Sequence, residues 1–399
     1  METMQDANGD IAGMEPFEPW YTAQVVGATK DGDVIKYELK TKKLDESNKE
    51  VNVIREYEDF QWLEHCLVTN NDVSGLILPP LPPKPGVSAS GAEAKSKKQL
   101  GSGSKALIGD EFHKDCRGLE KYLQLVLKHE LLGKEESLGK FLVDKEAPMR
   151  TKLKKNILSN LSKAVGEARK GNHKDIDDTF QKERDNCNDK LTLTKEASDN
   201  FNKMVYIQLR LEGAYSHLST MLNLGGGVLE GPSASANNML VKFSHALDDY
   251  KHGITVFSAN DENTLGFTLD LYARYQESEK EMLYRRTCKM IDLETATKNL
   301  EKAKPQKRDA AEDVKKDAEA AFDKISDVAK KEIVKYHRER VLAFQKALIL
   351  YAEAKVKTAR DTYALLARDL KKLKEMDSGD SAADDPQTSP VVYTPSKPF

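Results

Sequence analysis

Little in this 399-residue chain is of the kind that staples a small secreted fold or spans a bilayer. Its four cysteines, Cys66, Cys116, Cys187 and Cys288, are scattered and form no C-x-x-C pair. That excludes a disulfide scaffold and favours a reducing, cytosolic compartment. No stretch approaches the roughly 18 apolar residues of a membrane-spanning helix. The opening Met1-Glu2-Thr3-Met4-Gln5-Asp6 has neither the basic start nor the apolar run of a secretory leader, so none is expected. An excess of one charge is missing too: 62 Lys+Arg stand against 65 Asp+Glu, which excludes a strongly basic nucleic-acid binder. The eight histidines are dispersed, with no H-E-x-x-H, and no G-x-S-x-G occurs. The run from Gly226 to Ser233 has the outline of a phosphate loop but puts Pro232 where the lysine must stand. No catalytic residue, metal set or cofactor is discernible, and a non-enzymatic protein is expected.

What the chain does have is charge and periodicity. Charged residues make up 32% of it, aromatics only 7%, and the mean hydropathy is −0.62, a balance suited to long solvated helices. Residues 1–16 are acidic and aperiodic, and are expected to be disordered. From Pro19 strands follow: Tyr21–Val26 and Val34–Leu39, joined by a turn at Lys30-Asp31-Gly32, then Val51–Arg55. A helix carries Phe60, Trp62, Leu63 and Leu67. Leu78-Pro79-Pro80-Leu81-Pro82-Pro83-Lys84-Pro85 must be extended, because each proline fixes its own φ and restricts the residue before it. Residues 86–111 read as a flexible Gly/Ser/Ala/Lys insertion. Helical spacing resumes at Phe112 through Leu119, Tyr122, Leu123, Val126 and Leu127, and a short helix closes near Phe141-Leu142. Residues 17–146 thus form a small α+β domain with a three-stranded sheet.

After Pro148 the chain reads as all-helical. One very long helix is expected up to Leu224, broken by Gly225-Gly226-Gly227. A second run covers 236–304, with interruptions at Gly253 and around Ser258–Asn263, and ends at Pro305. A third runs from Lys307 to Met376, and its apolar stripe descends through Phe322, Ile325, Ala329, Ile333, Tyr336, Val341, Phe344, Leu348, Ala352, Val356, Ala359, Tyr363, Leu366, Leu370 and Leu373. The mean step of 3.64 residues is that of a straight helix rather than the 3.5 of a tight two-stranded coil. Three such helices packed antiparallel over residues 171–376 make a rod on the order of 100 Å long, one face of which needs a second copy or a partner. The tail, 377–399, is acidic and Ser/Pro-containing, and is expected to be disordered.

Two charge features stand out. Between Met149 and Lys174 eight basic residues face one acid, Glu167, with Leu153, Ile157, Leu161 and Val165 interleaved on one face. Such a segment suits an anionic membrane interface, or equally the solvated face of a bundle helix. Lys298, Lys302, Lys304, Lys307 and Arg308 cluster around Pro305, with Arg285, Arg286 and Lys289 one stretch earlier. They suit contact with a charged surface, or again plain solvation.

With those residues in view the chain resembles the PX-BAR sorting nexins, and among them the sorting nexin five and six subgroup. Arg55-Glu56-Tyr57-Glu58-Asp59-Phe60 is similar to the PX signature Arg-Arg-Tyr-x-Asp-Phe, and Leu78-Pro79-x-x-Pro82-x-Lys84 to the family's proline loop. Leu119–Leu123 and Phe141-Leu142 also fit, and Leu283-Tyr284-Arg285-Arg286-Thr287-x-Lys289-x-Ile291-Asp292 is a sorting-nexin-like stretch. The resemblance implies a PX domain followed by a BAR domain that dimerises into a curved rod. The implied location is the cytoplasm, peripheral on early endosome membranes and tubules.

By that resemblance Arg55, Tyr57, Lys84 and Arg117 become the lipid-pocket candidates, with Tyr57 for ring stacking and Lys84 for a second phosphate. The segment 150–170 becomes an amphipathic helix in which Lys152, Lys154, Lys155, Ile157, Leu161 and Lys163 meet membrane. Arg285, Arg286, Lys289, Lys298, Lys302, Lys304, Lys307 and Arg308 become contacts of the BAR face. One departure is explicit: Glu56 replaces the basic residue that holds the 3-phosphate, and a carboxylate beside a phosphate is repulsive. The subgroup's long helical insertion is also replaced by the shorter 86–111. The implied partners are anionic, phosphoinositide-containing membrane, another PX-BAR sorting nexin or a second copy, cargo receptor tails and dynein-dynactin, with no nucleic acid. The implied function is cargo sorting and endosome-to-Golgi (retromer-type) retrograde transport on curved membrane. The alternative is a scaffold that links cargo or motor complexes and leaves membrane attachment to a partner sorting nexin.

Overall fold

In a computed structural model, the structure describes residues 17–31, 34–44, 49–85, 112–148, 173–224 and 232–377. The expectations for 1–16, 86–111, the 150–170 segment, the Gly225–Gly227 turn and the tail after Asp377 lie outside these residues.

The first part is a three-stranded antiparallel sheet, β1 (Tyr21–Asp31), β2 (Val34–Lys43) and β3 (Glu50–Glu56), in the order β1-β2-β3. On β2 the alternation typical of a half-buried strand turns Ile35, Tyr37, Leu39 and Thr41 inward. Helices α1 (Tyr57–Thr69), α2 (Phe112–Lys128) and α3 (Glu136–Val143) cover that face, and a short 3₁₀ turn at Leu132–Lys134 links the last two. Phe60 sits at the centre, edge-on to Tyr37 (6.2 Å between centroids) and to Phe141 (5.0 Å). The register shifts between Val25 and Gly27, and on this edge strand the Val25 N–H donates to Glu120 Oε2 of α2 at 2.9 Å.

The remainder is helical: α4 (Asp178–Leu224), α5 (Pro232–Asp261), α6 (Phe267–Glu301) and α7 (Arg308–Asp377). A π turn at Glu262–Gly266 joins α5 to α6, and a 3₁₀ turn at Pro305–Lys307 precedes α7. Two expectations are corrected. The first long helix begins at Asp178, where the Asp177 carboxylate accepts the Thr179 N–H at 2.8 Å; residues 173–177 are not helical. Gly253 does not interrupt α5. A Cβ there would collide with the Thr362 side chain of α7, so this glycine permits a close helix–helix approach.

The contacts group into two units. The first joins the α+β domain to the helical stretches up to Thr194 and from Leu271 to Arg340; the second comprises Lys195–Asp270 and the chain from Val341 onward. In the first unit the stripe of α7 is buried as its period predicts, with Phe322, Ile325, Ala329 and Tyr336 all inside. In the second unit it is not. Val341, Leu348, Val356, Tyr363 and Leu370 are exposed, Tyr363 at 75%, while Ala347, Thr358, Thr362 and Asp369 face inward. Thr358 accepts from Asn260 Nδ2 at 3.2 Å, and the buried Asp261 is met by Lys355 Nζ at 2.6 Å and Gln208 Nε2 at 3.0 Å. The sequence period is therefore that of a helix, yet the face it marks is uncovered in a single chain.

Candidate functional site

The implied lipid pocket forms where β3 enters α1. Arg55 does not face it. The side chain is fully buried, donates to the carbonyls of Phe141 (2.9 Å), Ile54 (2.8 Å) and Asp144 (2.5 Å), and lies over the Phe141 ring. With its donors so occupied it holds the end of α3 to the sheet, and burial lowers its pKa from the usual arginine range. Its expected role in lipid binding is corrected on that ground.

Glu56 is the N-cap of α1. Its carboxylate accepts the Asp59 N–H while Asp59 Oδ2 accepts the Glu56 N–H at 2.7 Å, a reciprocal capping box. The position that resemblance assigns to a 3-phosphate is thus held by a carboxylate already serving the helix start. Tyr57 is buried and donates its hydroxyl to the Pro82 carbonyl at 2.6 Å, which fastens the proline loop; burial pushes its pKa up to about 12. Lys84 is half-exposed and paired with the Glu58 carboxylate. Arg117 lies on α2, in a groove of about 330 Å³ shared with Val25, Val26, Phe112, Cys116 and Glu120. The structure brings Tyr57, Lys84 and Glu58 together at the proline loop.

The next cations divide by position along α6. Arg285 caps the loop after α1, donating to the carbonyls of Ser74 (3.1 Å), Val73 (3.3 Å) and Leu76 (2.7 Å). A Cβ at Gly75 would press on Ile325 and Val328 of α7, so a glycine is what lets this loop seat there. Lys324 meets Asp72 at 2.7 Å and holds that carboxyl down at about 2. Arg274 Nη1 donates to the Pro80 carbonyl at 3.4 Å.

Arg286 turns the other way. It is 2% exposed, lies 2.5 Å from Asp175 and 2.9 Å from Ser326 Oγ, and stacks 3.5 Å over the Phe180 ring. Neither arginine presents its guanidinium to solvent, so the membrane-contact expectation for both is corrected. One docks the α+β domain on the helices and the other braces the helical core.

Farther along, Lys289 is half-exposed and Lys298 exposed, and both are only loosely paired, with Asp292 at 3.8 Å and Glu294 at 3.9 Å. Lys302, Lys304, Lys307 and Arg308 are exposed around the 3₁₀ turn between α6 and α7. These six form the basic surface of this stretch. The 150–170 residues Lys152, Lys154, Lys155, Ile157, Leu161 and Lys163 lie outside the described residues. Among the described residues no helix is long and apolar enough to cross a membrane.

A group that sequence spacing does not reveal is Glu183, Glu279 and His337, one residue from each of α4, α6 and α7, brought together within 4.8 Å. No local motif signals it, because its members are 96 and 58 residues apart.

The PX domain family matches residues 44–145. Over 363 residues the chain is 29% identical to sorting nexin-6 of Homo sapiens, covering 85% of this chain and 88% of that one. It is 25% identical over 395 residues to sorting nexin-32 of Mus musculus, covering 92% and 95% respectively. A chain of the cryo-EM structure of the SNX-BAR Mvp1 tetramer aligns with a TM-score of 0.40 at 15% identity, covering 89% of this chain and 98% of that one. The PX signature residues, the helical region behind them and this relatedness over most of both chains give the protein a PX domain followed by a helical region, similar along its length to sorting nexin-6 and sorting nexin-32.

Proposed function

We propose that this sorting nexin works as a dimer on anionic endosomal membrane, holds the lipid surface through its helical region rather than through its PX pocket, and supports cargo sorting and endosome-to-Golgi retrieval. The observation that carries the dimer is the uncovered stripe of Val341, Leu348, Val356, Tyr363 and Leu370. A contiguous apolar face of this kind, on a helix whose opposite side is packed, calls for a protein surface. A second copy or another PX-BAR sorting nexin supplies it. Lys298, Lys302, Lys304, Lys307 and Arg308, exposed at the α6–α7 turn, supply attraction to anionic headgroups, roughly 1 kcal/mol for each cation near the surface. The segment 150–170 adds an interfacial anchor. The relatives are sorting nexins, non-enzymatic trafficking adaptors, and this chain is read as non-catalytic with them. Cargo receptor tails and dynein-dynactin are the further partners this reading implies.

The pocket geometry favours a second reading alongside the first. With Glu56 at the phosphate position and Lys84 paired to Glu58, the PX pocket has little positive charge to offer a 3-phosphoinositide. The protein then serves as an adaptor whose membrane attachment comes from its partner sorting nexin. Co-sedimentation of the full-length protein with small and large anionic liposomes, with and without 3-phosphoinositide, separates the two. Binding that follows charge and curvature but ignores the phosphoinositide supports the first. Absence of binding until a partner sorting nexin is added supports the second.

A further inference from the structure

The three-helix cluster around Glu279 has the makings of an inorganic site. Glu279 is fully buried, and its Oε1 accepts no hydrogen bond. Its Oε2 is fixed by the Gln276 amide, whose own oxygen takes Arg340 Nη1 at 3.2 Å. His337 Nε2 lies 2.8 Å from Glu183 Oε1 and 3.9 Å from Glu279 Oε1. Two carboxylates and an imidazole thus converge, with an outer layer that orients the deepest ligand, as supporting groups do around bound metals.

We propose that Glu183, Glu279 and His337 form a binding site for a zinc-like divalent cation, with water completing its coordination. The donor set of one imidazole nitrogen and two carboxylate oxygens is one that zinc accepts, whereas magnesium demands an all-oxygen octahedron. Access is from the outer side, where His337 is 27% and Glu183 16% exposed. Cys187, close by, is not among the converging groups: its thiol donates to the Gln276 carbonyl at 3.7 Å. Lys190 is the competing cation on the Glu183 side, but at 3.8 Å its pairing is loose and its side chain is 33% exposed, free to swing outward.

Lys190 and Arg340 are the cations that face this pair of carboxylates. A metal here would bolt α4, α6 and α7 together.

The test is calorimetric titration of chelator-treated full-length protein with Zn²⁺ and, separately, Mg²⁺. One Zn²⁺ per chain, with little response to Mg²⁺, is the result expected. Glu279→Gln keeps the side chain's shape and is expected to fold, checked by circular dichroism, yet to lose at least about tenfold in zinc affinity. His337→Asn, at the more exposed ligand, should do the same. Zinc uptake unchanged in both variants would assign it to surface histidines and overturn the proposal. Absence of zinc uptake by the unaltered protein would overturn it as well.

Discussion

Arg285 and Arg286 are neighbours on one helix, and their guanidinium groups are committed in opposite directions, one to three backbone carbonyls of the loop after α1 and the other to the buried carboxylate of Asp175. A single turn of α6 therefore does two jobs: it docks the PX domain and seals the helical core. Arg286→Ala should be the harsher change. It strands Asp175, which is itself buried, and should destabilise the fold by about 3–5 kcal/mol in urea unfolding. Arg285→Ala leaves three loop carbonyls without their cation. Its expected effect is faster hydrogen exchange over Val73–Leu78, with α7 still protected. Liposome binding at equal folded concentration should be unchanged in both variants; a selective loss of lipid affinity would return them to the membrane surface.

Glu56 gives a prediction with two parts. Replacing it by arginine removes the α1 cap and should cost on the order of 1 kcal/mol. It should not by itself produce 3-phosphoinositide binding, because Lys84 remains paired with Glu58. The double variant Glu56→Arg with Glu58→Ala frees that lysine and sets a second cation beside it. Liposome sedimentation should then respond to 3-phosphoinositide. A full response from Glu56→Arg alone would mean that the Lys84–Glu58 pair does not limit the pocket.

Acid should stabilise one part of this protein. Burial pushes the Glu64 carboxyl up to about 7, against an ordinary value of 4.5. The folded state therefore prefers the protonated form. As pH rises from about 4.5 to 7 the unfolded chain ionises while the folded chain resists, and stability falls through that window by on the order of 1–3 kcal/mol. Above about pH 7 both states are ionised and the loss levels off. Asp72 acts oppositely, its stabilisation vanishing as pH drops from about 4 towards 2, but its pairing with Lys324 is solvent-exposed and contributes little. Thermal melts of Glu64→Gln should be flatter between pH 5 and 7 than those of the unaltered protein, and higher at pH 8.

The sequence shows the sheet, the proline loop and the helical region plainly, because each rests on local chemistry: alternation, fixed φ angles and a 3.6-residue period. It shows where cations lie but not which are buried. Arg55 and Arg286 look no different in sequence from Lys298 and Lys302. Their fate depends on Phe141 and Asp175, 86 and 111 residues away. Gly253 reads as a breaker for the same reason: only the approach of Thr362 reveals why a side chain is unwelcome there. The α7 stripe is the converse case, with the period legible and the covered face set by tertiary contacts.

That stripe yields the sharpest test of association. Val356→Glu with Tyr363→Glu alters two residues that are exposed in the single chain, so folding stability should shift by no more than about 0.5 kcal/mol per site. The same charges placed in a dimer seam would be desolvated and unpaired, which is strongly unfavourable. Light scattering should therefore report a halved mass with an unchanged melting temperature. Gly253→Ala is the counterpart. It drives a methyl into Thr362 inside one chain, and should lower the melting temperature by an amount equivalent to about 1–3 kcal/mol before any effect on mass. If the glutamate pair lowers the melting temperature as Gly253→Ala does, the stripe is covered within the monomer. If it changes neither mass nor melting temperature, the second copy sits on another face.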